Sequence, residues 1–426
     1  MSFNTISVIG LGYIGLPTAA MFASRGKHVI GVDINPQVVD AINHGKNHFA
    51  EPEVDSIVHS VVKDGYLRAV TAPEAADAFI IAVPTPFKLN KGTNPEPDLT
   101  YVEVAIKSIA RVLNKGNLVI LESTSPVGTT EQIAAWLAAA RPDLTFPQQL
   151  GDKADISISY CPERVLPGYV VSELVKNDRI IGGMSPSCSA DSIELFRVFV
   201  EGECIITDPR TAEMSKLVEN SCRDVQIAFA NELSVICDQL DIDVWELITL
   251  ANRHPRINIL EPGPGVGGHC IAVDPWFIIN KTPEHARMMK TARLVNDDKT
   301  LFVEEKIKQA IGQYQHENNT KQPSSINVVC YGLAFKPNID DVRESPAVKI
   351  VGNLVRELPC NIYAVDPNIK KLPKILKGVS LIDISDSFQI ADIHIILVKH
   401  KEFNMITSHF KNCDFVVDIV GLMNSR

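Results

Sequence analysis

The chain opens with the apolar run Ile6-Ser7-Val8-Ile9, and Gly10-Leu11-Gly12-Tyr13-Ile14-Gly15 follows it directly. The run predicts a buried strand, and the residues after the third glycine predict a helix to about Ser24. The three glycines permit a tight turn and let the backbone approach a pyrophosphate at the N-terminus of that helix. A second predicted strand, His28 to Val32, ends at Asp33, whose carboxylate suits the free ribose hydroxyl of NAD and repels the phosphate of NADP.

Strands and helices alternate through the rest of the N-terminal half. Further strands are predicted at Ala78–Val83 and Leu118–Leu121, with helical sequence between them, and this order predicts a parallel sheet covered by helices. Thr85 follows one of these strands, so it is expected on the same crevice as the glycine turn. A glycine-rich turn of any α/β domain, with Asp33 capping a loop, is the alternative that needs no cofactor.

The C-terminal third repeats this plan. Strands are predicted at Ile326–Tyr331, at Asn361–Val365, which ends at Asp366, and at Ile393–Val398. This second α/β domain lacks the three-glycine turn, so its ligand is not expected to be a dinucleotide held in the same way. The polar segment Gln315–Ser325 is predicted to be the exposed connection into it.

A long helix is predicted between the two α/β domains, from Pro209 to about Leu240, with Asp208 as its N-cap. Lys216, Asn220 and Arg223 fall at i, i+4 and i+7, so they project from one face. A solvated polar stripe is the simpler interpretation of that face. A cationic stripe facing an anionic ligand is the alternative, and long linking helices often carry a dimer interface.

The most informative loop reads Pro262-Gly263-Pro264-Gly265-Val266-Gly267-Gly268-His269-Cys270-Ile271-Ala272-Val273-Asp274-Pro275. Because its glycines have no side chains, the thiol of Cys270 has few side chains around it and a substrate can approach the backbone. A glycine-rich loop with an incidental cysteine is the alternative. His269 has no second His or Cys at metal-ligand spacing, so no metal is predicted.

Composition limits the class of protein. A chain of 426 residues is too long for one compact core, and two or three domains are expected. A net charge of −10 argues against general affinity for nucleic acid or an anionic membrane, so an anionic substrate requires a local cluster of Arg and Lys. No stretch is long and apolar enough to span a bilayer, and the nine cysteines lack paired or metal-ligand spacing. The expected location is the reducing cytoplasm.

Together these residues resemble the UDP-glucose/GDP-mannose dehydrogenase family over essentially the whole chain. Further matches are Ser123-Thr124-Ser125-Pro126-Val127-Gly128, Cys161-Pro162-Glu163-Arg164, and Lys336 through Arg343. Within the family, the run from Asn252 to Asn258 and the run Asp274-Pro275-Trp276-Phe277 most resemble members that act on UDP-N-acetyl-D-mannosamine. Those members supply UDP-N-acetyl-D-mannosaminuronate for surface polysaccharides such as enterobacterial common antigen. A 6-dehydrogenase for UDP-N-acetylglucosamine or UDP-glucose is the nearest alternative.

The resemblance implies an α/β fold of two Rossmann-like domains joined by a long central helix within a helical linker domain. The NAD-binding domain is expected over residues 1–205, the helical linker and dimerisation domain over 206–314, and the UDP-binding domain over 315–426. The expected partners are a UDP-sugar and a second copy of the chain in a homodimer, with no nucleic acid and no membrane insertion.

The resemblance also implies a four-electron oxidation of the sugar C6 alcohol to a carboxylate, with two hydrides passing to two NAD molecules. Cys270 adds to the aldehyde that forms first, and the resulting thiohemiacetal becomes a thioester. Glu163 assists the water that hydrolyses this thioester, and Lys216 takes the hydroxyl proton or stabilises the oxyanion, with Asn220 beside it. The implied catalytic residues are Cys270, Lys216, Glu163, Asn220 and, to position the water, Thr124 and Asp274.

Two sets of binding residues follow from the same resemblance. Contacts to NAD are expected from Gly10, Gly12, Tyr13, Ile14, Gly15, Asp33, Thr85, Thr124 and Arg343. Contacts to the UDP-sugar are expected from Arg164, Val165, Lys216, Asn220, Arg223, His254, Arg256, Gly267 and Lys336, and a partner subunit can supply Arg256.

Two other classes of function are weighed against this one. A dehydrogenase that makes a single hydride transfer has no use for a thiol in a glycine loop. A nucleotide sensor without catalysis has no use for Cys270, Lys216 and Glu163 together. Both classes are therefore disfavoured by the residues present.

Overall fold

A computed structural model describes residues 3–49, 51–88, 94–165, 168–318 and 321–424. The predicted α/β class is confirmed, because two sheets of mainly parallel strands form in different parts of the chain. The residues form two compact units, Met1–Glu219 with Trp276–Pro283, and Asn220–Pro275 with Glu284–Arg426. Within the described ranges, none of the helices is long and apolar enough to cross a membrane.

The first unit contains the first ten strands of the chain. They are β1 (Thr5–Ile9), β2 (His28–Val32), β3 (Leu67–Val70), β4 (Ala78–Ile81), β5 (Phe87–Lys88), β6 (Glu96–Pro97), β7 (Leu118–Leu121), β8 (Ser157–Tyr160), β9 (Arg179–Gly183) and β10 (Cys204–Thr207). Eight of them form one sheet in the order β10-β9-β8-β7-β4-β1-β2-β3, and β5 pairs with β6. The crevice expected at the ends of β1 and β4 therefore lies in the middle of the sheet.

The helices of this part of the chain connect the strands. They are α1 (Gly15–Ser24), α2 (Pro36–Asn43), α3 (Pro52–Lys63), α4 (Thr100–Ala110), α5 (Thr129–Ala140), α6 (Pro147–Leu150), α7 (Val170–Lys176) and α8 (Pro186–Phe196). The long α9 (Pro209–Gln239) follows the last of these strands, begins in the first unit and continues into the second from Asn220. Asp208 caps α9 as predicted, because its Oδ1 accepts a hydrogen bond from the backbone N of Thr211 at 3.0 Å.

Both faces of the eight-stranded sheet are covered. Val8 and Ile80 point into one apolar cluster, whereas Ile9 and Ile81 point into the other, as the alternation of side chains along a strand requires. The two clusters explain why β1, β4 and β7 read as nearly continuous apolar runs.

One feature of this sheet corrects the sequence prediction of parallel strands. Strand β9 runs antiparallel to β8, with Tyr160 opposite Gly182. Among the described residues between the two strands, the short α7 is the one helix, and β9 starts at the edge of the sheet where β8 ends. A parallel β9 would require this connection to return the chain to the opposite edge of the sheet, and it does not do so.

The second unit carries the remaining strands and most of the remaining helices. The helices are α10 (Val244–Ala251), α12 (Arg287–Glu317), α13 (Pro346–Glu357), α14 (Ile384–Ile390) and α15 (Thr407–Phe410), and α11 (Asp274–Lys281) runs from this unit into the first. The strands are β11 (Asn327–Tyr331), β12 (Asn361–Val365), β13 (Ser380–Leu381), β14 (Ile393–Ile396) and β15 (Val416–Asp418), all parallel, in the order β13-β12-β11-β14-β15. The predicted repeat of the strand plan is therefore present.

The predicted connection Gln315–Ser325 is partly wrong. Its first three residues continue α12, which ends at Glu317, and Ile307 and Ile311 of that helix pack into the core of the second sheet. Pro323–Ser325 forms a 3₁₀ turn directly before β11. Asn319 and Thr320 lie outside the described residues.

Candidate active site

The glycine turn lies between β1 and α1. Gly10 has a φ of +94°, and a Cβ there would lie 2.5 Å from the carbonyl oxygen of Ala82. A Cβ on Gly15 would lie 1.9 Å from the carbonyl oxygen of Gly10, whereas a Cβ on Gly12 would meet no atom within 4 Å. Ile14, the N-cap of α1, is half-buried. The turn thus offers bare backbone and open space at a helix N-terminus, and both fit the pyrophosphate of NAD.

Asp33 holds the other side of this turn. Its Oδ2 accepts from the backbone N of Leu11 at 3.1 Å, and its Oδ1 accepts from the backbone N of Asn35 at 2.9 Å. Each carboxylate oxygen can accept a further hydrogen bond, and the side chain is only half-buried, so a ribose hydroxyl can still be bound. Tyr13 is exposed, and its ring stacks on Phe49 with centroids 4.3 Å apart.

Hydroxyl groups join the loops after β4 and β7. Thr85 Oγ1 donates to the carbonyl oxygen of Thr124 at 2.6 Å, and Ser123 Oγ donates to that of Val83 at 2.7 Å. Because β4 and β7 are neighbouring parallel strands, both loops lie at the edge that carries the glycine turn. Thr85 and Thr124 therefore lie together, as expected.

Glu163 follows β8 and is almost completely buried. Its Oε2 accepts from Arg179 Nη2 at 2.8 Å, and its Oε1 accepts from the backbone N of Arg164 at 2.6 Å. The guanidinium of Arg164 points elsewhere, because its Nε lies 2.8 Å from Glu219 Oε1 on α9. Val165 is half-buried and packs against the apolar core.

Lys216 lies half-buried on α9, one turn beyond Glu213. The carboxylate of Glu213 is buried and accepts from the backbone N of Gly128 at 2.6 Å and from that of Thr130 at 2.8 Å, at the N-terminus of α5. Burial raises the pKa of Glu213, and these hydrogen bonds oppose the rise. The helix that carries Lys216 is thereby fixed to the loop that carries Thr124.

Cys270 and Asp274 lie within one turn of chain in the second unit. Cys270 is exposed, and its backbone carbonyl oxygen accepts a hydrogen bond from the backbone N of Asp274 at 2.9 Å, at the start of α11. The carboxylate of Asp274 is buried and accepts a hydrogen bond from Asn220 Nδ2 on α9. Three predicted catalytic residues of this unit therefore form one local cluster.

Packing accounts for two of the glycines before the thiol. A Cβ on Gly267 would lie 2.5 Å from the carbonyl oxygen of Glu344, and a Cβ on Gly268, which has a φ of +82°, would lie 3.0 Å from the ring of Phe335. A Cβ on Gly263 would meet no atom within 4 Å. Gly267 and Gly268 thus let the thiol loop lie against the loop of residues 335–346.

Arg343 belongs to this second loop and joins it to the first. Its carbonyl oxygen accepts from the backbone N of Gly268 at 3.2 Å, and its Nε lies 2.9 Å from Asp341 Oδ1. Burial and the nearby charge of Arg343 hold the pKa of His269 below its ordinary value. Two motifs singled out in the sequence are therefore in contact within the second unit.

The other predicted substrate contacts lie on the surface or near it. Lys336 is half-buried beside Phe335, whereas Arg223, His254 and Arg256 are exposed. His254 Nδ1 accepts from the backbone N of Arg256 at 3.4 Å. Three of the four predicted residues are therefore accessible to solvent within the second unit.

Comparison with known proteins gives three consecutive family matches. Residues 4–200 match the NAD binding domain of the UDP-glucose/GDP-mannose dehydrogenase family, residues 210–298 its central domain, and residues 329–425 its UDP binding domain. The chain belongs to this family. Its cofactor is NAD, as the residues of the glycine turn and Asp33 predict.

Individual relatives are similar over nearly the whole chain. The UDP-N-acetyl-D-mannosamine dehydrogenase of Yersinia pestis is 59% identical over 423 residues, which cover 99% of this chain and 100% of that protein. An NDP-N-acetyl-D-galactosaminuronic acid dehydrogenase of Ralstonia nicotianae is 55% identical, covering 100% of this chain and 98% of the relative. A solved structure of the UDP-N-acetyl-mannosamine dehydrogenase of Staphylococcus aureus has a TM-score of 0.83 at 39% identity, covering 99% of this chain and 96% of that one.

Two residues of structural importance were not found from the sequence. Arg179 is a single charge at the start of an otherwise apolar strand, and a buried cation at that place could have been suspected. Glu213 is one of many acidic residues on α9, and nothing in its spacing distinguishes it. Both act through contacts that are distant in sequence, at 16 residues for Arg179 with Glu163 and 83 for Glu213 with Thr130.

Proposed function

We propose that this member of the family is a UDP-sugar 6-dehydrogenase that converts UDP-N-acetyl-D-mannosamine into UDP-N-acetyl-D-mannosaminuronate, for a surface polysaccharide of the enterobacterial common antigen type. The observation that carries the proposal is the exposed thiol of Cys270 beside Asp274 and Asn220. A thiol is what separates oxidation to an acid from oxidation to an aldehyde. The names of the relatives at 59% and 39% identity support the choice of sugar.

The overall reaction is R–CH₂OH + 2 NAD⁺ + H₂O → R–COO⁻ + 2 NADH + 3 H⁺. Bound NAD supplies the acceptor for the two hydrides that leave C6. The backbone of Gly10, Gly12 and Gly15 holds the pyrophosphate, and Asp33 accepts from the ribose hydroxyls. Thr85, Thr124 and Arg343 complete the set of residues assigned to this cofactor.

Cys270 acts between the two oxidations. Its sulfur bonds to the aldehyde carbon, the carbonyl oxygen takes a proton, and the thiohemiacetal that forms can lose the second hydride and become a thioester. Water then adds to the thioester carbon, its proton passes to Glu163, and the C–S bond breaks with its electron pair returning to sulfur. Asp274 and Thr124 are assigned to hold that water.

Lys216 and Asn220 serve the first oxidation. The amine of Lys216 takes the proton of the C6 hydroxyl, or as a cation it stabilises the oxyanion. Asn220 donates one amide hydrogen to Asp274, so its second amide hydrogen can be donated to the C6 oxygen of the substrate. Four cationic residues outside the catalytic set are assigned to the UDP-sugar: Arg164, Arg223, Arg256 and Lys336. Val165, His254 and Gly267 are assigned to it as well.

The proposal includes the domain division and the assembly. Residues 1–205 form the NAD domain, 206–314 the helical linker and 315–426 the UDP domain. A homodimer is proposed because large apolar side chains of the second unit are exposed, with 57% of Phe229 and 46% of Ile236 accessible on one face of α9 and 61% of Leu250 on α10. Such faces are typical of subunit interfaces. A cytoplasmic location is proposed because the nine cysteines have neither paired nor metal-ligand spacing.

A substrate panel tests the choice of sugar. Initial rates of NADH formation are measured with UDP-N-acetyl-D-mannosamine, UDP-N-acetylglucosamine, UDP-N-acetylgalactosamine and UDP-glucose at equal concentration. The proposal expects the first to have the highest kcat/KM. A higher kcat/KM with UDP-N-acetylglucosamine or UDP-glucose favours the alternative within the family, and one with UDP-N-acetylgalactosamine favours the activity named for the Ralstonia relative.

A Cys270→Ser variant tests the covalent step. Complete conversion by the unaltered enzyme should give two NADH for each UDP-sugar consumed. The variant should lose acid formation while it still binds the UDP-sugar in calorimetry, because serine keeps the size of the side chain but is a weaker nucleophile. Undiminished acid formation by the variant contradicts the assignment.

A further inference from the structure

Arg179 reaches the edge of the sheet that carries Glu163 because β9 is antiparallel. It is the first residue of β9, and Glu122 and Glu163 follow the ends of β7 and β8. A parallel β9 would have placed its first residue at the opposite edge. The reversal of one strand therefore brings one guanidinium between two carboxylates.

The three charged side chains form a buried cluster. Arg179 Nη2 lies 2.8 Å from Glu163 Oε2, and Nη1 lies 3.3 Å from Glu122 Oε1, with the three side chains exposed by only 5%, 6% and 0%. The guanidinium lies over the ring of Phe196, 4.3 Å from its centroid. Thr18 on α1 donates to Glu122 Oε2 at 3.2 Å. These contacts therefore join β9, α8, α1 and the segments that follow β7 and β8.

The charges in this cluster balance if one carboxyl group is neutral. Burial, with the nearby charge of Glu163, raises the pKa of Glu122 to about 8, although Arg179 opposes the rise. Burial also raises the pKa of the Cys161 thiol to about 12, although the charge of Arg179 opposes the rise. Burial likewise raises the pKa of Cys204 on the neighbouring strand. At neutral pH Glu122 is therefore mostly protonated and does not balance the charge of Arg179.

We propose that Arg179 is a positioning residue that holds Glu163 in its orientation, and that Glu122 is the neutral acid that holds the other side of the guanidinium. The inference rests on the proposed function, in which Glu163 takes a proton from the water that attacks the thioester. Glu163 Oε1 also accepts from the backbone N of Arg164, so both carboxylate oxygens are fixed in direction. Fixed direction, rather than proximity alone, is what a general base requires.

The test uses an Arg179→Met variant, because methionine fills space beside Phe196 but carries no charge. With UDP-N-acetyl-D-mannosamine and excess NAD, its steady-state acid formation should fall by about 30-fold or more, because an oriented charged partner is lost. Hydrolysis becomes the slow step, so a burst of two NADH per active site should precede the slow phase. Acid quenching and intact-protein mass spectrometry should then find the sugar acyl group on Cys270.

Two further variants separate positioning from general damage. Arg179→Lys keeps the positive charge and should restore part of the rate. Arg141→Met is the matched control, because Arg141 also pairs with a carboxylate, on Asp143, and donates to backbone carbonyls of the same unit but touches none of the assigned residues. A uniform loss of rate in Arg179→Met without burst or adduct would overturn the proposal, as would an unchanged rate.

Glu122→Gln tests the second half of the proposal. As pH rises through about 8, Glu122 ionises and competes with Glu163 for Arg179, so the acylated fraction of the unaltered enzyme should rise. In Glu122→Gln this rise should be absent, because glutamine stays neutral. The infrared band of a protonated carboxyl group, present at pH 7 and lost in Glu122→Gln, is measured without substrate. Absence of that band refutes the charge assignment of Glu122, whether or not the enzyme oxidises a UDP-sugar. Failure to oxidise any UDP-sugar refutes the proposed function instead.

Discussion

Substitution of Gly15 by alanine is expected to damage the cofactor turn. The added Cβ would lie 1.9 Å from the carbonyl oxygen of Gly10, closer than any real contact of this kind. Gly10 cannot simply move away, because its backbone N donates to the carbonyl oxygen of Val32 at 2.8 Å and its own Cβ position is filled by Ala82. Forced repacking of this kind costs about 1–3 kcal/mol. Thermal unfolding of the first unit should shift down by about 4–10 °C.

Gly12→Ala provides the matched control in the same turn. Its Cβ would meet nothing within 4 Å, so the unfolding temperature should stay within about 1–2 °C of the unaltered chain. The methyl group would occupy the open space assigned to the pyrophosphate, so NAD affinity should fall by about tenfold or more. Circular dichroism melts without ligand and calorimetric titration with NAD measure the two effects separately. Equal stability of the two variants, or unchanged NAD affinity in Gly12→Ala, would refute the reasoning.

Three further outcomes are expected. Glu213→Ala leaves two backbone donors at the start of α5 without acceptors, so hydrogen exchange of the Thr130 amide should accelerate by about 30-fold or more, corresponding to about 2 kcal/mol. Gly267→Ala should reduce acid formation by at least about tenfold because its Cβ meets backbone at 2.5 Å, whereas Gly263→Ala, with open space, should not. Burial lowers the pKa of His394 to about 4, so the unfolded chain binds an extra proton below pH 6.5 and the second unit should lose about 2 kcal/mol between pH 7 and pH 5 in urea titrations.

The local sequence pattern predicted those elements whose bounds depend only on residues close to them in sequence. The bounds of β2, β7 and β12 agree with the sequence prediction, and α1 ends at Ser24 as expected. Each is set by an apolar run, by glycine or by a capping side chain, and all of these act within a few residues. The long α12 was not predicted, because its polar and apolar residues lack a clear period over 31 residues.

The site could be predicted only in part. The hydrogen bond from Asn220 to Asp274 joins residues 54 apart, and neither residue's neighbours in sequence indicate the other. Only the family resemblance placed both in one catalytic set. The direction of β9 was not predictable either, since composition does not distinguish a parallel from an antiparallel strand, and without that direction Arg179 has no visible relation to Glu163.

An aspartate stands directly after β2, at Asp33, and directly after β12, at Asp366, and the two have different environments. Asp33, after β2, is half-buried and has capacity for a further hydrogen bond. Asp366, after β12, is buried, with Oδ2 accepting from the backbone N of Leu333 at 2.7 Å and lying 3.1 Å from His400 Nε2. Burial raises the pKa of Asp366, but its hydrogen bonds to His400 and to backbone amides outweigh it, and the pKa is lowered overall.

The difference follows from the residues after each first strand. In the N-terminal copy a glycine stands where open space is needed, at Gly12. In the C-terminal copy Gly332 stands where Gly10 stands, because its backbone N donates to Val365 as that of Gly10 donates to Val32, and Ala334 therefore stands where Gly12 stands. Leu333 and Ala334 then occupy the turn and donate their backbone N–H groups to Asp366. An aspartate at the end of a strand therefore indicates a ribose site only where glycines leave room for the phosphates, and this is why the second α/β unit has the strand order of a nucleotide-binding fold without the turn that holds a dinucleotide.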